Sequence, residues 1–244
     1  MNLQGKTALV TGGAVRMGRA ICEALAARGC QLVIHYHHSA KQAVDLAASL
    51  ERQGVRAWAD KAELRSQRDC ERLLARAWKQ AGGLDVLINN AAVFHKDSLA
   101  TCTEEKLLSE LRVNLFAPLF LTRAFAARTK RGKVINLLDR RVASHEPGCL
   151  PYLLSKQALA ALTQIAALEL APGITVNGVA PGAVLAPPGK GARYLHDHAG
   201  RVPLQRRVSA PDVAAAVVAL LEMDAVTGQI MFVDGGQHLL GNGV

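Results

Sequence analysis

Short apolar runs alternate with longer helical segments along this whole chain, and no other feature constrains its fold as much. The runs with the length of β-strands are Thr7–Val10, Gln31–Tyr36, Ala57–Lys61, Asp85–Asn89, Lys133–Leu138, Thr175–Ala180 and Ile230–Val233. The segments between them that predict helices are Met17–Arg28, Ala40–Gln53, Arg68–Ala81, Leu107–Lys130, Tyr152–Leu170 and Pro211–Leu221. Strands that alternate with helices build βαβ units. The sequence therefore predicts an α/β fold: a doubly wound, parallel, seven-stranded sheet with helices on both faces.

Length and composition indicate one cytoplasmic domain. The 244 residues fit a single large α/β domain, residues 1–244. No apolar run approaches the roughly 20 residues of a membrane span, and the first residues lack the pattern of a secretory signal. Five scattered cysteines without C-x-x-C spacing are typical of reduced thiols and predict neither a metal site nor a disulfide framework.

The charge pattern argues against a nucleic-acid partner. The formal net charge is +9, but Lys and Arg are spread along the chain and form no basic runs. An anionic cofactor explains part of this excess.

A Gly-rich turn, Thr11–Gly18, follows the first predicted strand and opens the first predicted helix. Gly12 lets the chain reverse sharply, and Gly18 lets the helix begin close to the sheet. Backbone N–H groups and the helix dipole would then face a pyrophosphate. Such a turn is also an ordinary strand-to-helix connection, so it indicates a dinucleotide only together with other features.

The end of the second predicted strand favours NADPH over NADH. In many NAD enzymes an acidic residue about 20 residues after the turn holds the ribose diol. Here the sequence has His37, His38 and Ser39, with no carboxylate to repel a 2′-phosphate. These side chains and Arg16 could receive that phosphate. For each histidine, the alternative is a solvated strand end.

Two further patterns place polar groups where ligands bind in open α/β sheets. Asn89–Ala92 ends a buried strand with two amides and two small residues, which permit a flat ring to approach closely. Tyr152 and Lys156 stand at i and i+4 on one helix face. A nearby ammonium group would lower the pKa of the phenol and make it a usable proton donor and acceptor. Alone, such a pair is more often an exposed helix face.

Together, these motifs resemble the short-chain dehydrogenase/reductase family. In chain order they are Thr11-Gly12…Gly18, Asn89-Asn90-Ala91, Asn114, Tyr152…Lys156, Pro181-Gly182, Val226-Thr227-Gly228-Gln229 and Val233-Asp234-Gly235-Gly236. The resemblance runs from Leu3 to about Leu240 and implies a Rossmann-type NADP-binding domain that forms a homotetramer. It implies Tyr152 as the general acid/base, Lys156 as its pKa modifier and ribose clamp, and Asn114 as the holder of a proton-relay water.

The same resemblance implies a set of cofactor contacts. Glu63, in Ala62-Glu63-Leu64, takes the place of the usual Asp after the third strand and would face the adenine. The implied set is Gly12, Arg16, Met17, Gly18, His37, His38, Ser39, Glu63, Leu64, Asn90, Ala91, Ala92, Tyr152, Lys156, Pro181 and Gly182.

Two departures from the common family pattern narrow the substrate. Arg16 replaces the second glycine of the turn, and Asp139 stands where a serine usually holds the substrate carbonyl. A carboxylate beside a developing alkoxide is repulsive unless it is protonated. The nitrogen of a ring C=N, in contrast, must receive a proton, and an Asp/Tyr relay can supply it. Asp139 could instead be a structural carboxylate paired with Arg140 or Arg141.

Both departures, with His35-Tyr36-His37 and Phe94, resemble the pteridine reductase branch of the family. That resemblance implies that Phe94 stacks on a pterin held against the nicotinamide, with Arg16 near phosphate and substrate. The implied substrate-binding residues are Arg16, Phe94, Asp139 and Tyr152. Phe94 could otherwise be a loop aromatic that caps the core. Ala92 stands where this branch often has a hydroxyl residue, which weakens a phosphate hydrogen bond there.

The predicted function is NADPH-dependent reduction of a pterin, dihydropterin or dihydrofolate-like ring, with the proton delivered through Tyr152 and Asp139. The enzymatic alternative is a ketone or 3-oxoacyl reductase, in which Asp139 is protonated or turned aside. The alternative from another class is a catalytically silent NADPH-binding sensor or assembly subunit. The presence of Tyr152, Lys156 and Asn114 argues against that last reading.

Two regions carry further expectations. The Pro- and Gly-rich stretch Gly182–Arg207 predicts a loop that covers the site. The predicted helices Leu107–Lys130 and Tyr152–Leu170 are apolar on more than one face. Such helices are expected to pack on the sheet and on a neighbouring subunit.

Overall fold

A computed structural model describes residues 1–185, 193 and 201–240, and its centre is a seven-stranded sheet. The strands are β1 Thr7–Val10, β2 Gln31–Tyr36, β3 Ala57–Lys61, β4 Val86–Asn89, β5 Gly132–Leu137, β6 Ile174–Pro181 and β7 Ile230–Val233. Their spatial order is β3-β2-β1-β4-β5-β6-β7, and every neighbouring pair is parallel. The predicted parallel, doubly wound sheet is confirmed.

The helices of the described residues flank this sheet. They are α1 Arg16–Ala26, α2 Ala40–Arg52, α3 Gln67–Ala81, α4 Glu104–Leu111, α5 Ala117–Ala126, α6 Leu150–Glu169 and α7 Ala210–Glu222. In this part of the chain no helix is long and apolar enough to span a membrane. The predicted covering loop, Gly182–Arg207, falls mostly outside the described residues.

One helix prediction is wrong. The single helix predicted over Leu107–Lys130 begins earlier, at Glu104, and ends earlier, at Ala126. Between α4 and α5 it is interrupted by a π-helical turn at Arg112–Phe116. The apolar pattern continues through this turn, so periodicity gave no sign of the interruption.

Local capping signals fix the ends of several helices. The Ser66 hydroxyl accepts a hydrogen bond from the N–H of Asp69 at 3.2 Å and starts α3, while Gly82, at φ +76°, ends it. Ser209 and Asp212 form a reciprocal capping box at the start of α7. These side chains satisfy N–H groups that the helices leave without internal partners.

Alternate residues of the strands build one core on each face of the sheet. Val10 and Ile88 belong to the core that α1, α2 and α7 cover, whereas Leu9 and Leu87 belong to the core under α3, α5 and α6. All four side chains are fully buried. Burial of each such side chain contributes about 1.5–3 kcal/mol to the stability of the folded state, relative to leaving it exposed. The two cores hold the carboxyl ends of the strands in fixed positions.

The winding of the chain reverses between β1 and β4. The chain builds β2 and β3 on one side of β1, and then returns to place β4 on its other side. Ligands of open α/β sheets bind outside the carboxyl ends of the strands at such a switch point. The Gly-rich turn after β1 and the amides after β4 both lie there.

Candidate active site

The Gly-rich turn leaves β1 directly in this crevice. Gly12 has φ +61°, and a Cβ added to it would lie 3.1 Å from the Cα of Ala91. A Cβ on Gly18 would overlap the carbonyl oxygen of Gly12, so α1 can begin this close to the turn only with glycine there. Val15, at the N-terminal end of α1, provides no side-chain cap. The first N–H groups of α1, which lack partners within the helix, are therefore the donors that suit an anion.

The first two glycine amides of the turn are already used within the protein. The N–H of Gly12 donates to Nδ1 of His35 at 3.0 Å, and the N–H of Gly13 donates to the His35 carbonyl oxygen at 3.0 Å. A pyrophosphate must therefore rely on donors closer to α1. No sequence pattern predicts this role for His35, since the contact depends on the packing of β2 against the turn.

Thr11 and Asn90 tie the turn to the end of β4. The Thr11 hydroxyl oxygen accepts the N–H groups of Asn90 and Ala91 at 2.9 and 3.0 Å. Nδ2 of Asn90 donates to the carbonyl oxygens of Thr11 and Gly12 at 2.8 and 3.1 Å. Asn90 therefore shapes the cofactor turn through its side chain. Ala91 lies against Gly12, and Ala92 is exposed.

The end of β2 presents two imidazoles and a hydroxyl. The rings of His37 and His38 lie 3.7 Å apart, centroid to centroid. Partial burial and the neighbouring His38 lower the pKa of His37. Ser39 stands at the N-terminus of α2, where its hydroxyl makes no capping bond. His37, His38 and Ser39 follow one another at the end of β2, and their binding of a 2′-phosphate stays a prediction.

The segment after β3 lies beside these histidines. Leu64 is buried, whereas Glu63 is exposed and forms an ion pair with Arg65 at 2.9 Å. The charges of Glu63, Arg65 and Lys61 all act on His37. No sequence pattern predicts a role for Arg65 or Lys61, because the strand pairing that brings β3 beside β2 decides their position.

Tyr152 and Asp139 meet at the carboxyl end of β5. Asp139 follows the strand by two residues, and Tyr152 lies in the first turn of α6. The Tyr152 hydroxyl donates to Oδ2 of Asp139 at 3.0 Å. Asp139 is therefore not turned aside from the tyrosine. The thirteen-residue separation in sequence becomes a direct hydrogen bond.

Asp139 also forms an ion pair with Arg141, which was the alternative interpretation of this carboxylate. It accepts the backbone N–H of Arg141 at 2.9 Å and pairs with the Arg141 guanidinium at 3.2 Å. Arg141 in turn contacts Glu146 at 2.6 Å, and Arg140 pairs with Glu146 instead of Asp139. Burial alone would lower the pKa of Arg141, but the charges of Asp139 and Glu146 raise it above its ordinary value. Arg141 is therefore a permanent cation beside Asp139.

The electrostatics of Tyr152 differ from the sequence expectation. Burial, followed by the Asp139 carboxylate, raises the pKa of Tyr152 well above its ordinary value. The sequence predicts that Lys156 lowers the pKa of Tyr152, but in the structure burial and Asp139 determine the direction of the shift. Lys156 is itself buried, which lowers its pKa to about 8, and its Nζ donates to the Leu137 carbonyl at 2.7 Å. Tyr152 therefore holds its proton at neutral pH.

Asn114 lies buried in the π-helical turn and is fully engaged by protein groups. Its side chain exchanges hydrogen bonds with both backbone groups of Val93, each at 2.9 Å. Its Nδ2 also lies 2.8 Å from Oε2 of Glu110 and 3.0 Å from Oγ of Ser155. The Ser155 hydroxyl donates to the Tyr152 carbonyl oxygen at 2.6 Å. Asn114 is thus linked to the helix that carries Tyr152.

Glu110 and Ser155 were missed by the sequence analysis. Glu110 is completely buried and also accepts the backbone N–H and Nδ1 of His95, at 2.7 and 2.8 Å. Its position four residues before Asn114, on one helix face, was the only available signal. A glutamate at that spacing is ordinarily a solvated surface residue.

Two further predicted positions border the site. The ring of Phe94 meets that of Tyr152 edge-on, with centroids 4.7 Å apart, and Phe94 is 44% exposed. It therefore does not cap the core. Pro181 ends β6, and the Gly182 N–H donates to the Val233 carbonyl at 3.0 Å. A Cβ on Gly182 would lie 2.9 Å from Cβ of Asp234, which favours glycine there.

The structure thus brings the predicted groups together at one edge of the sheet. Asp139, Tyr152 and Lys156 cluster after β5, and Phe94 contacts Tyr152. The dinucleotide cradle begins at the turn after β1 and extends along the ends of β2 and β3. An acid/base pair beside such a cradle has the parts needed for hydride transfer coupled to proton transfer.

Comparisons with known proteins agree with this geometry. A family profile described as enoyl-(acyl carrier protein) reductase matches residues 13–238. Pteridine reductase 1 of Leishmania tarentolae is 34% identical, over 95% of this chain and 96% of its own length. Ketoacyl reductase 2 of the Streptomyces violaceoruber granaticin polyketide synthase is 32% identical, over 97% of this chain and 98% of its own.

A solved structure shows the same architecture. The alternative dihydrofolate reductase 1 (FolM) of Brucella canis, crystallised with NADP, superposes with a TM-score of 0.93. It is 32% identical and covers 98% of this chain and 96% of its own. With a family profile over nearly its full length, full-length relatives and a shared fold, this chain belongs to the short-chain dehydrogenase/reductase family.

Proposed function

We propose that this protein is an NADPH-dependent reductase of a pterin, dihydropterin or dihydrofolate-like ring. The observation that carries the proposal is the 3.0 Å hydrogen bond between Tyr152 and Asp139, with Phe94 edge-on to the same tyrosine. Relatives named for pteridine and dihydrofolate reduction support it.

The cradle fits NADPH in shape and in charge. Gly12 and Gly18 let the turn pack closely against Ala91 and let α1 begin close to the turn, so that the first N–H groups of α1 would face a pyrophosphate. His37, His38, Ser39 and Arg16 would receive the 2′-phosphate. NADP or NADPH is bound in the related crystal structures, which supports the same cofactor here.

The bound cofactor would supply the hydride, and the protein would supply the proton. Tyr152 holds its proton at neutral pH because of burial and the Asp139 carboxylate. It would give that proton to a ring nitrogen as hydride reaches carbon, when the charge that develops on the nitrogen makes it basic. Asp139, held by Arg141, orients the Tyr152 hydroxyl. Lys156 would bind the ribose and replace the proton on Tyr152. Phe94 would stack on the flat ring of the substrate.

The direct test is NADPH oxidation with dihydrobiopterin, dihydromonapterin and dihydrofolate. We expect turnover with at least one of these compounds, and a severe loss of that turnover in Asp139→Ser. Absence of turnover with all three, together with rapid reduction of a ketone, would refute the pterin assignment. Full pterin activity in Asp139→Ser would refute the role of Asp139.

A ketone or 3-oxoacyl reductase is the second candidate, because the granaticin ketoacyl reductase is nearly as similar as the pteridine reductase. In that case the Asp139 carboxylate would stand beside a developing alkoxide. The comparison that separates the two functions is kcat/KM for a dihydropterin against kcat/KM for a 3-oxoacyl thioester.

The assembly and location of the protein are part of the proposal. We propose a homotetramer, because α6 carries exposed apolar side chains at Leu154, Ile165 and Leu168. We also propose a cytoplasmic location, since all five cysteines are free thiols.

A further inference from the structure

His35 connects three segments that surround the cofactor cradle. Its backbone belongs to β2, its Nδ1 accepts the Gly12 N–H at 3.0 Å, and its Nε2 lies 3.2 Å from the Ala62 carbonyl oxygen. Its own carbonyl accepts the Gly13 N–H at 3.0 Å. The side chain is only 2% exposed. One imidazole therefore links the Gly-rich turn to the segment that leads to Glu63.

Both ring nitrogens of His35 have a defined use. Nδ1 must accept, since its partner is an N–H, and Nε2 must donate, since its partner is a carbonyl oxygen. This pattern requires the neutral ring. Burial, more than the nearby charges of His37 and Arg76, lowers the pKa of His35 to about 4 and keeps the ring neutral at physiological pH.

The hydrogen bond acts on a turn that contains two residues with positive φ. Gly12 has φ +61° and Arg16, a residue with a side chain, has φ +54°. A glycine gains much conformational freedom when the hydrogen bond that holds it is lost. Without an acceptor, the part-buried Gly12 N–H would favour other turn conformations that bring it to water. NADPH would then have to select a conformation that is populated only part of the time.

We propose that His35 is a positioning residue for the cofactor: its imidazole holds the Gly-rich turn in the conformation that binds the NADPH pyrophosphate. It makes no contact with the dinucleotide in this role. The inference rests on the NADPH binding proposed above, and concerns a residue outside the predicted set of cofactor contacts.

Three substitutions separate the two hydrogen bonds of the ring. In His35→Asn the amide oxygen lies near the place of Nδ1 and can accept the Gly12 N–H, but the link to Ala62 is lost. In His35→Gln the longer side chain can reach Ala62 but has no acceptor near Gly12. His35→Leu loses both bonds and keeps an apolar side chain of similar size.

The measurement is the Kd of NADPH, from the change in its own fluorescence on binding, together with the melting temperature without cofactor. We expect His35→Leu and His35→Gln to bind NADPH about tenfold more weakly, and His35→Asn to bind nearly as the wild type does. In turnover, KM for NADPH should rise in the same order, with kcat at saturating NADPH almost unchanged.

Val33→Ala is the control for a general loss of stability. Val33 is a fully buried residue of the same strand, and its apolar side chain makes no hydrogen bond to the Gly-rich turn. The Val33→Ala variant should have a lower melting temperature and an unchanged Kd for NADPH. If His35→Leu lowered only the melting temperature, or if His35→Gln bound NADPH normally while His35→Asn did not, the positioning role would be wrong. If the wild type failed to bind NADPH, the proposed function itself would fail.

Discussion

Asp139 changes the chemistry of the site by replacing a hydrogen-bond donor with an acceptor. A serine at this position can donate to a carbonyl oxygen, whereas the Asp139 carboxylate accepts from Tyr152 and from Arg141. An acceptor of this kind suits a substrate that brings N–H groups of its own, as an amino-substituted heterocycle does. Arg141 fixes which way the carboxylate faces.

Substitution of Arg141 should impair turnover more than substitution of its neighbour. Arg141→Leu removes the guanidinium that pairs with Asp139, while Arg140→Leu removes a partner of Glu146 only. We expect kcat/KM for a dihydropterin to fall roughly ten- to hundredfold in Arg141→Leu, the range for a lost charged hydrogen bond. Arg140→Leu should lose much less. Equal losses of kcat/KM in both variants would show that turnover depends on the contacts of Glu146 and not on the pairing of Arg141 with Asp139.

The histidines after β2 should make cofactor choice depend on pH. Burial and His38 lower the pKa of His37, so it gains a proton only as the pH falls below its ordinary range. Protonation adds positive charge, so NADPH should bind more tightly as the pH falls below about 6.5, whereas its binding should change little between pH 7 and pH 8. NADH, which lacks the 2′-phosphate, should show little change.

The matched variants are His37→Leu and His38→Leu. We expect each to lower the ratio of kcat/KM for NADPH to that for NADH by roughly three- to tenfold, because a partly exposed charged hydrogen bond is lost. The pH dependence of NADPH binding should weaken in His37→Leu. If the ratio of kcat/KM for NADPH to that for NADH is unchanged in both variants, the 2′-phosphate does not bind at these histidines.

At the scale of elements, the π-helical turn at Arg112–Phe116 shows what periodicity predicts and what it misses. The strands and most helices were predictable to within two residues, because each buries a face of regular period. The π-helical turn was not predictable. Its segment is apolar on more than one side, so a shift of the buried face does not change the apolar pattern of the sequence. π-Helical turns often occur at functional sites, and this one carries Asn114.

Glu110 should support catalysis from within α4. Glu110→Gln replaces an acceptor of the Asn114 and His95 donors with an amide whose NH2 group would oppose one of them. We expect kcat to fall about tenfold with KM for NADPH nearly unchanged, the scale of one unsatisfied buried donor. Glu105→Gln, at an exposed position of the same helix, should behave as the wild type does. An unchanged kcat in Glu110→Gln would show that Asn114 needs no such support.

At the scale of the whole molecule, the exposed apolar residues of α6 should form a subunit interface. Leu168 is 82% exposed although it is apolar. A charge in a buried interface is strongly unfavourable, so Leu168→Glu should yield a smaller species in sedimentation velocity. Leu99→Glu, at an equally exposed residue outside α6, is the control. If Leu168→Glu sediments as the wild type does, α6 is not an interface.

The fold and the candidate site differ in how far the sequence predicts them. Tyr152 and Lys156 could be paired from spacing alone, because a helix places i and i+4 on one face. Asp139 could be assigned from its place in the motif order. The choice of Arg141 over Arg140, and the roles of His35 and Glu110, depend on rotamers and on packing between distant segments. No local pattern encodes these contacts.

The π-helical turn has a consequence for chain length. Such a turn holds one residue more than the α-helical turn it replaces, so Arg112–Phe116 acts as a one-residue insertion between α4 and α5. Deletion of Leu115 would therefore allow one continuous α-helix in which α4 and α5 keep nearly the rotation that they have now, because the wider turn already absorbs the extra residue. The change would be confined to the backbone around Asn114, whose hydrogen bonds to Val93, Glu110 and Ser155 depend on this turn. The turn thus lets Asn114 reach these partners without changing how α4 and α5 pack.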